Sequence, residues 1–548
     1  MPTSLVNLDA LIPREDFEVA DEVTGFQTAT TLKISDLDKS AFLYSALRKP
    51  DFQRETANWS PQIVCDFVST FLNGDLIPAV ILWQSKSNVF VIDGGHRLSA
   101  LIAWVHDDYG DGKISGEFFD NRIPAEQRKN AEKTRALVKK SVGTYVEHQL
   151  AVQYPDQAKP DVRQRAKRLG SLAIALQWVS GDSNKAEASF FKINQQAVPI
   201  DPTELKILKA RHYPNALAAR AIIRSGTGHK YWAKFEADKR SEIEKIAKEV
   251  NTYLFTPELQ TPIKTLDLPV AGKGYSAQTL PLIFDLVNLA NGVGMERRVP
   301  KKKKKAKGAP AEANTNAPAL VPDADGMDTI KFLKNTRRVM YRISSDHPSS
   351  LGLHPVVYFY SLSGRYQPTS FLAVVSLIRE FEEKDLFTTF TQNRRAFEDF
   401  ILKYKTFSNQ VTVALGSGIK GFARLEQLFS AILTEIAGGK AEGEIIEALR
   451  KDDRFRFLKL SESELEESRK EFNTEVKSAT FLKDALTNPV RCKICGGLIH
   501  LNAMTIDHII SKKDGGTGQL ENAQLAHPYC NTTFKEQGHT AKAAISTS

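Results

Sequence analysis

Three of the four cysteines in this 548-residue chain fall within its last sixty residues, and their spacing constrains that segment more tightly than anything constrains the rest. Cys492-Lys-Ile-Cys495 precedes a Gly-Gly turn and a short hairpin, and His527-Pro-Tyr-Cys530 closes the segment. Three thiolates and one imidazole in two paired knuckles form a donor set that suits tetrahedral Zn²⁺. Protein groups fill all four positions, so this zinc is expected to be structural, clamping a loop-rich segment too small to rest on a core of its own. The fourth cysteine, Cys65, lies on the apolar stripe of a helix and reads as a core residue. So few cysteines exclude a disulfide framework.

The chain is too long for one core, so several domains are expected. Its 42% hydrophobic and 25% charged residues are those of an ordinary globular protein. The first residues lack the basic-then-apolar order of a secretory signal, and no apolar run approaches bilayer length. A cytoplasmic protein with no membrane partner is therefore expected. A net charge of +9 favours a polyanionic partner without defining it.

The sharpest compositional break is 297–325, which holds five consecutive lysines and then Ala, Pro, Asn and Gly; it reads as a basic flexible linker. Before it, Ser60-Pro61 reads as a helix cap with proline at the first position. An apolar stripe of Ile63, Val64, Phe67, Val68, Phe71 and Leu72 follows, and Gly74 is the stop. Ala79 to Trp83 and Asn88 to Ile92 read as strands, and Arg97 to Trp104 as a helix. Asp201-Pro202-Thr203-Glu204 reads as a second cap, opening a helical stretch to about Asn291. The expectation is a multidomain α+β chain: a mixed α/β domain over 1–210, a helical extension over 211–296, the linker, a helical domain over 326–486, a metal-clamped domain over 487–540, and a disordered tail over 541–548.

Between the knuckles stand Thr505-Ile506-Asp507-His508-Ile509-Ile510, then Lys512-Lys513-Asp514-Gly515-Gly516, then Glu521-Asn522, and Asn531 directly follows Cys530. With these residues, 489–537 resembles the HNH endonuclease family. The resemblance implies a ββα-metal fold and phosphodiester hydrolysis of DNA with one Mg²⁺ or Mn²⁺ ion. It also implies roles: His508 as general base, Asp507 and Asn531 as oxygen ligands of the catalytic cation, and Asn522 as the holder of the loop that orients the histidine. These residue types match the chemistry, since hydrolysis needs an activated water, charge neutralisation on the phosphate and help for the leaving alkoxide. Two departures stand out. His527 takes a position where many relatives have cysteine, and the lysine usual three residues after the final Asn is displaced to Lys535, which puts phosphate contacts from that helix in question.

Near the N-terminus, Phe90-Val-Ile-Asp93-Gly94-Gly95-His96-Arg97 runs from a strand through two glycines into a helix, an arrangement that suits an anion. A purely structural turn reads equally well. With Gln53-Arg54, Trp59, and Phe190-Phe-Lys-Ile-Asn194 further on, residues 40–210 resemble the ParB/sulfiredoxin-like domain of type IV, modification-dependent restriction enzymes and phosphorothioate-sensing defence proteins. The resemblance implies nucleotide binding at Asp93, Gly94, Gly95, His96, Arg97 and Arg54, with a nucleoside triphosphate as ligand. It implies modified phage DNA as the sensed partner. Gly95 stands where that signature has glutamine, which bears on hydrolysis more than on binding.

Two weaker signals are set aside. Gly416-Ser-Gly418-Ile-Lys-Gly421 follows a β-like run but reads as a loop between helices, and Asp107, Asp108 and Asp111 read as a solvated turn because the calcium-loop pattern is incomplete. The leading expectation is an antiphage restriction nuclease whose N-terminal domain regulates a C-terminal HNH domain. Two alternatives are a non-catalytic ParB-like nucleotide-switched DNA-binding protein and a site-specific mobile-element nuclease. The sequence does not speak to oligomeric state.

Overall fold

The computed structural model describes residues 5–15, 29–50, 53, 56–85, 88–196, 202–228, 230–274, 278–293, 320–416, 419–460 and 472–542. Arg54, most of the segment read as linker, and the tail from residue 543 lie outside the described residues. The chain divides into two compact units. One comprises 1–212, 226–234 and 275–281, and the other 213–225, 235–274 and 282–548. The segment read as a helical extension thus contributes residues to both units, and the helices after the linker share a unit with the metal-clamped segment. No described helix is long and apolar enough to cross a membrane.

The first unit is built on a six-stranded mixed sheet of β1 (Arg14–Glu15), β2 (Thr31–Lys33), β3 (Leu47–Pro50), β4 (Val80–Ser85), β5 (Asn88–Asp93) and β6 (Ala173–Trp178), in the order β1-β3-β5-β4-β6-β2. Helices α1 (Phe42–Ala46), α2 (Pro61–Asn73), α3 (Gly95–His106), α4 (Lys113–Phe118), α5 (Ala125–Ser141), α6 (Tyr145–Gln153), α7 (Pro160–Leu169), α8 (Ser183–Gln196) and α9 (Pro202–Lys209) complete it. Side chains on a strand alternate between faces, and β5 buries both. Val89 and Val91 join the core formed with α2 and α3, whereas Phe90 and Ile92 pack with Phe190 of α8 and Leu208 of α9. The Phe190 element of the sequence is therefore the cover of the sheet's second face.

Helix α2 starts and stops where its sequence directs. The Ser60 hydroxyl accepts from the Ile63 amide at 3.3 Å, Pro61 occupies the first turn, and Gly74 ends the helix in the left-handed region. Val64, Cys65, Val68, Phe71 and Leu72 are buried, whereas Ile63, expected on the stripe, is 46% exposed at its edge. The turn read as solvated is built differently. Asp108 is buried and accepts hydrogen bonds from the amides of Gly110, Gly112 and Ser115 and from the Ser115 hydroxyl, while Asp107 and Asp111 pair with Arg135.

The second unit is helical apart from its C-terminal hairpin. It comprises α10 (Pro214–Ile223), α11 (Ala237–Phe255), α12 (Thr279–Ala290, from Leu282 on), α13 (Met327–Ile343), α14 (Pro355–Tyr358), α15 (Pro368–Lys384), α16 (Phe387–Lys403), α17 (Thr406–Leu415), α18 (Ile419–Ala437), α19 (Glu442–Lys451), α20 (Thr474–Ala485), and the strands β7 (Thr505–His508) and β8 (Ala523–Ala526). The β-like run before Gly416 is the end of α17, which packs against α18 and buries Val411 while Val413 faces solvent. The segment read as linker ends before residue 325. Asp323 is buried and accepts from the Gly326 and Thr329 amides at 2.9 and 2.8 Å, fixing the start of α13.

Candidate active site

The C-terminal hairpin pairs Thr505 with Ala526, Ile506 with Leu525, Asp507 with Gln524 and His508 with Ala523. Cys492 and Cys495 lie on the tight turn before it, and His527 and Cys530 on the turn leaving it. The ligand atoms of these four buried residues all lie within 4.8 Å of one another. Tetrahedral donors about 2.3 Å from one ion stand roughly 3.8 Å apart, so the set fits Zn²⁺ in span as in chemistry. The His527 Nε2–H donates to the Leu498 carbonyl at 2.9 Å, which turns Nδ1 toward the sulfurs, 3.4 Å from Cys495 Sγ and 3.9 Å from Cys530 Sγ. A ring nitrogen fixed in this way presents its lone pair to the ion. The thiols share their ionisation: Cys495 and Cys530 hold the Cys492 thiol far below the usual thiol range, and the same bonds push Cys530 far above it. Burial and Arg394 press the His527 imidazole down, but the surrounding thiolates outweigh both and carry it up to about 9.

Behind this cluster, α16 supplies a buried ion pair that the motif does not announce. Arg394 Nε lies 2.7 Å from Glu398 Oε1, its Nη2 donates to the Gly352 carbonyl at 2.9 Å, and its Nη1 stands 3.1 Å from His527 Nδ1. Glu398 Oε2 accepts from the Leu498 amide at 2.9 Å, joining the pair to the knuckle. Three thiolates around Zn²⁺ would leave one net negative charge, and the guanidinium beside them is itself balanced by Glu398, so it orients His527 and the knuckle without neutralising the set. Only glycine admits this approach: a Cβ on Gly497 would lie 2.3 Å from Arg394 Nε.

The hairpin carries the remaining motif residues. Asp507 is buried, and His508 is half-buried at the end of β7. Asp507 Oδ2 accepts from Gln524 Nε2 at 2.7 Å and from Lys535 Nζ at 2.9 Å. Lys535 also donates to the carbonyls of His508 and, at 3.4 Å, Ile509. The displacement of this lysine seen in the sequence has a structural counterpart. Residues Cys530–Phe534 form a wide π turn, with the Lys535 amide bonded to the Cys530 carbonyl at 3.1 Å, and this turn absorbs the residue that displaces the lysine. Lys535 thereby returns to the face that meets Asp507.

Asn531 lies beside β7, its Nδ2 3.4 Å from both Thr505 Oγ1 and the Ile506 carbonyl. Asp507 and Asn531 offer oxygen donors of the hard type that Mg²⁺ takes. The Lys535 ammonium, ringed by a carboxylate oxygen and two carbonyls, shows that this spot holds positive charge. Asn522 lies at the other end of the hairpin and ties the intervening loop. Its Oδ1 accepts from the Ile510 amide at 2.7 Å, and its Nδ2 donates to the carbonyls of Ile510 at 3.1 Å and Thr517 at 2.8 Å. Gly516 is required here, because a Cβ would lie 1.8 Å from the Ile510 carbonyl.

In the first unit, Asp93 and Arg97 form an ion pair of 2.5 Å across one turn of helix, with Gly94 at φ 95° between strand and helix. Arg97 Nη1 also donates to the carbonyls of Pro78 at 2.7 Å and Ala79 at 3.3 Å. The guanidinium read as a phosphate donor is thus engaged within the turn, and a phosphate reaching it would have to displace Asp93. The His96 ring stacks on Trp59 with centroids 5.5 Å apart. The side-chain amide of Gln53 lies 3.5 Å from where a Cβ on Gly95 would stand, so a carboxamide still borders the position that lost its own.

Residues 492–537 match the family model for HNH endonucleases, and this matched region contains the Cys492, Cys495, His527 and Cys530 cluster. Residues 34–213 match the N-terminal domain of the GmrSD restriction endonuclease, so the chain joins an HNH domain to a domain of GmrSD-type restriction enzymes. No curated protein and no solved structure matches the chain.

Proposed function

We propose that this chain is a restriction endonuclease that hydrolyses DNA through its HNH domain, licensed by its N-terminal domain. The observation that supports the reading is that Asp507 and His508 are consecutive on β7, with Asn531 bonded beside that strand at Ile506, a set that zinc binding alone does not require. In this reading Asp507 and Asn531 hold a Mg²⁺ ion, which supplies charge neutralisation at the phosphate and the leaving oxygen. His508 takes the proton of the attacking water. Asn522 keeps the loop after His508 in one conformation, and Gln524 orients the Asp507 carboxylate. The cluster of Cys492, Cys495, His527 and Cys530 holds the structural zinc and takes no part in the chemistry.

The N-terminal domain is assigned the sensing of a nucleotide or a DNA modification, with Asp93, Gly94, Gly95, His96, Arg97 and Arg54 as the nucleotide-facing residues. Antiphage restriction in the cytoplasm is the setting this reading gives. The test is cleavage of supercoiled plasmid by the intact chain with Mg²⁺, on modified and unmodified DNA, with and without nucleoside triphosphates. A rate that depends on modification or nucleotide, and loses that dependence in Asp93→Asn, supports licensing. Cleavage indifferent to both leaves an unregulated nuclease and removes the sensing half of the proposal.

A further inference from the structure

Apart from the lysine-rich run at 297–307, one stretch of the chain concentrates positive charge. Residues 122–168 hold twelve Lys and Arg against five Asp and Glu, a net +7, while the whole chain carries +9. This stretch is α5, α6 and α7 with their connections, and the fold brings its two basic helices together: Arg165 of α7 donates to the carbonyls of Ser141 at 3.3 Å and Val142 at 3.5 Å, at the C-terminal end of α5. On α5 the buried residues Gln127, Asn130, Ala131, Thr134 and Val138 face the core. Lys129, Lys133 and Lys140 are exposed and fall within about 40° of one another around the helix axis. On α7, Val162, Ala166 and Leu169 are buried, and Lys167 and Arg168 are exposed on the opposite side.

A basic helix face is often merely solvated, but here its charges are left uncompensated. Arg135 is neutralised by Asp107 and Asp111, and Glu147 turns its carboxylate to the Thr144 amide as a cap. Among the described residues, Lys129, Lys133, Lys140, Lys167 and Arg168 have no ion-pair partner. We propose that the exposed faces of α5 and α7 bind the phosphate backbone of duplex DNA, which rests on the reading of the chain as a DNA nuclease. Lys129 to Lys140 covers about 16 Å of helix axis, a length over which a duplex presents roughly nine phosphates. Lysines on a helix make point contacts to phosphate without reading bases, so this surface contributes affinity and register, not sequence choice.

The test is fluorescence anisotropy of a labelled duplex with the intact chain carrying His508→Ala, so that the probe survives, over a series of salt concentrations. Each lost phosphate contact lowers the slope of log affinity against log salt by about 0.9. In K129Q/K133Q/K140Q/K167Q/R168Q the slope is expected to fall by about 3 or more and affinity near 0.1 M salt by at least about tenfold, with an unchanged circular dichroism spectrum. K245Q/K248Q, on exposed positions of α11, is expected to leave both unchanged. An unchanged slope in the quintuple variant, or an equal fall in the α11 control, overturns the proposal. Exposed Val146, Val152 and Tyr154 lie on or beside α6, so phosphatidylserine-containing vesicles form a further arm: vesicle binding lost in the quintuple variant with duplex binding intact makes the surface a membrane face and overturns it too. If the wild-type chain binds duplex through this face but does not cleave, the nuclease reading fails and the surface stands; if the quintuple variant in a His508 background cleaves and the slope is unmoved, the surface fails and the nuclease stands.

Discussion

Two aspartates, one in each unit, stand at the end of a strand and are held by a basic side chain, and the two pairs are made in opposite ways. Asp93 meets Arg97 across a single helical turn, and the two carbonyls that complete the guanidinium's contacts come from residues less than twenty positions away. Asp507 meets Lys535 across 28 residues, and the two approach through the β7–β8 hairpin and the turn that carries His527 and Cys530 of the candidate metal cluster. The first pair is a self-contained lock on a turn; the second depends on the metal cluster. The first should therefore fail alone and mildly, and the second should fail with everything around it.

The largest expected effect follows from breaking the cluster. Cys530→Ser is expected to lower bound zinc from about one per chain to near none by atomic absorption, and to reduce cleavage at least about a hundredfold, since a structural zinc contributes on the order of 10 kcal/mol to its segment. Retained zinc and activity would show that the hairpin stands without the clamp. Next in size is Lys535→Met. With no ammonium to displace from Asp507, half-saturation by Mn²⁺ is expected at about tenfold lower concentration, a change of roughly 1.4 kcal/mol, read by calorimetry with Asp507→Asn as the control. An unchanged titration would mean that Lys535 and the cation do not compete. Smaller again is Arg97→Met, expected to lower stability by about 1–2 kcal/mol because three partly exposed hydrogen bonds are lost, with zinc content unchanged. A loss of zinc there would break the comparison.

The smallest expected effect is on pH. His354 and His500 are buried with ring centroids 5.6 Å apart. Burial first, then the nearby positive charges of His500 and Arg394, hold the His354 imidazole well below its ordinary value of 6.5, and burial lowers His500 too, against the pull of Asp267. Below pH 6.5 the unfolded chain takes up protons that the folded chain refuses, so stability is full above that pH and falls as pH drops toward the depressed folded values. Denaturation midpoints measured from pH 8 to 5 should fall in the wild type and flatten in His354→Asn.

The comparison also explains what the sequence could disclose. Helix α2 was legible because its cap, first-turn proline, stripe and terminal glycine all act within one helix, and the zinc cluster was legible because ligand spacing follows from metal geometry. The Arg394–Glu398 pair was not, since it lies about a hundred residues from the knuckle it supports and its pattern on α16 is that of any helical ion pair. The displacement of Lys535 was legible, but its contact with Asp507 was not, because counting residues from Asn531 assumes ordinary helical pitch and the π turn changes that pitch. Asp108 was misread as solvated because acids beside glycines are usually so, and only the fold shows four donors closing on it. The Asp93–Arg97 turn was legible as structure, but the engagement of Arg97 by Pro78 and Ala79 depends on the neighbouring strand.

The most direct test of the account is Mg²⁺-dependent nicking of supercoiled plasmid by the intact chain beside His508→Ala, with zinc content measured in both. The account predicts nicking by the wild type, a loss of at least about a hundredfold in the variant, as expected when a general base is removed, and equal zinc in the two. Equal nicking by both proteins, or none by the wild type under any cation, nucleotide or modification, would contradict it.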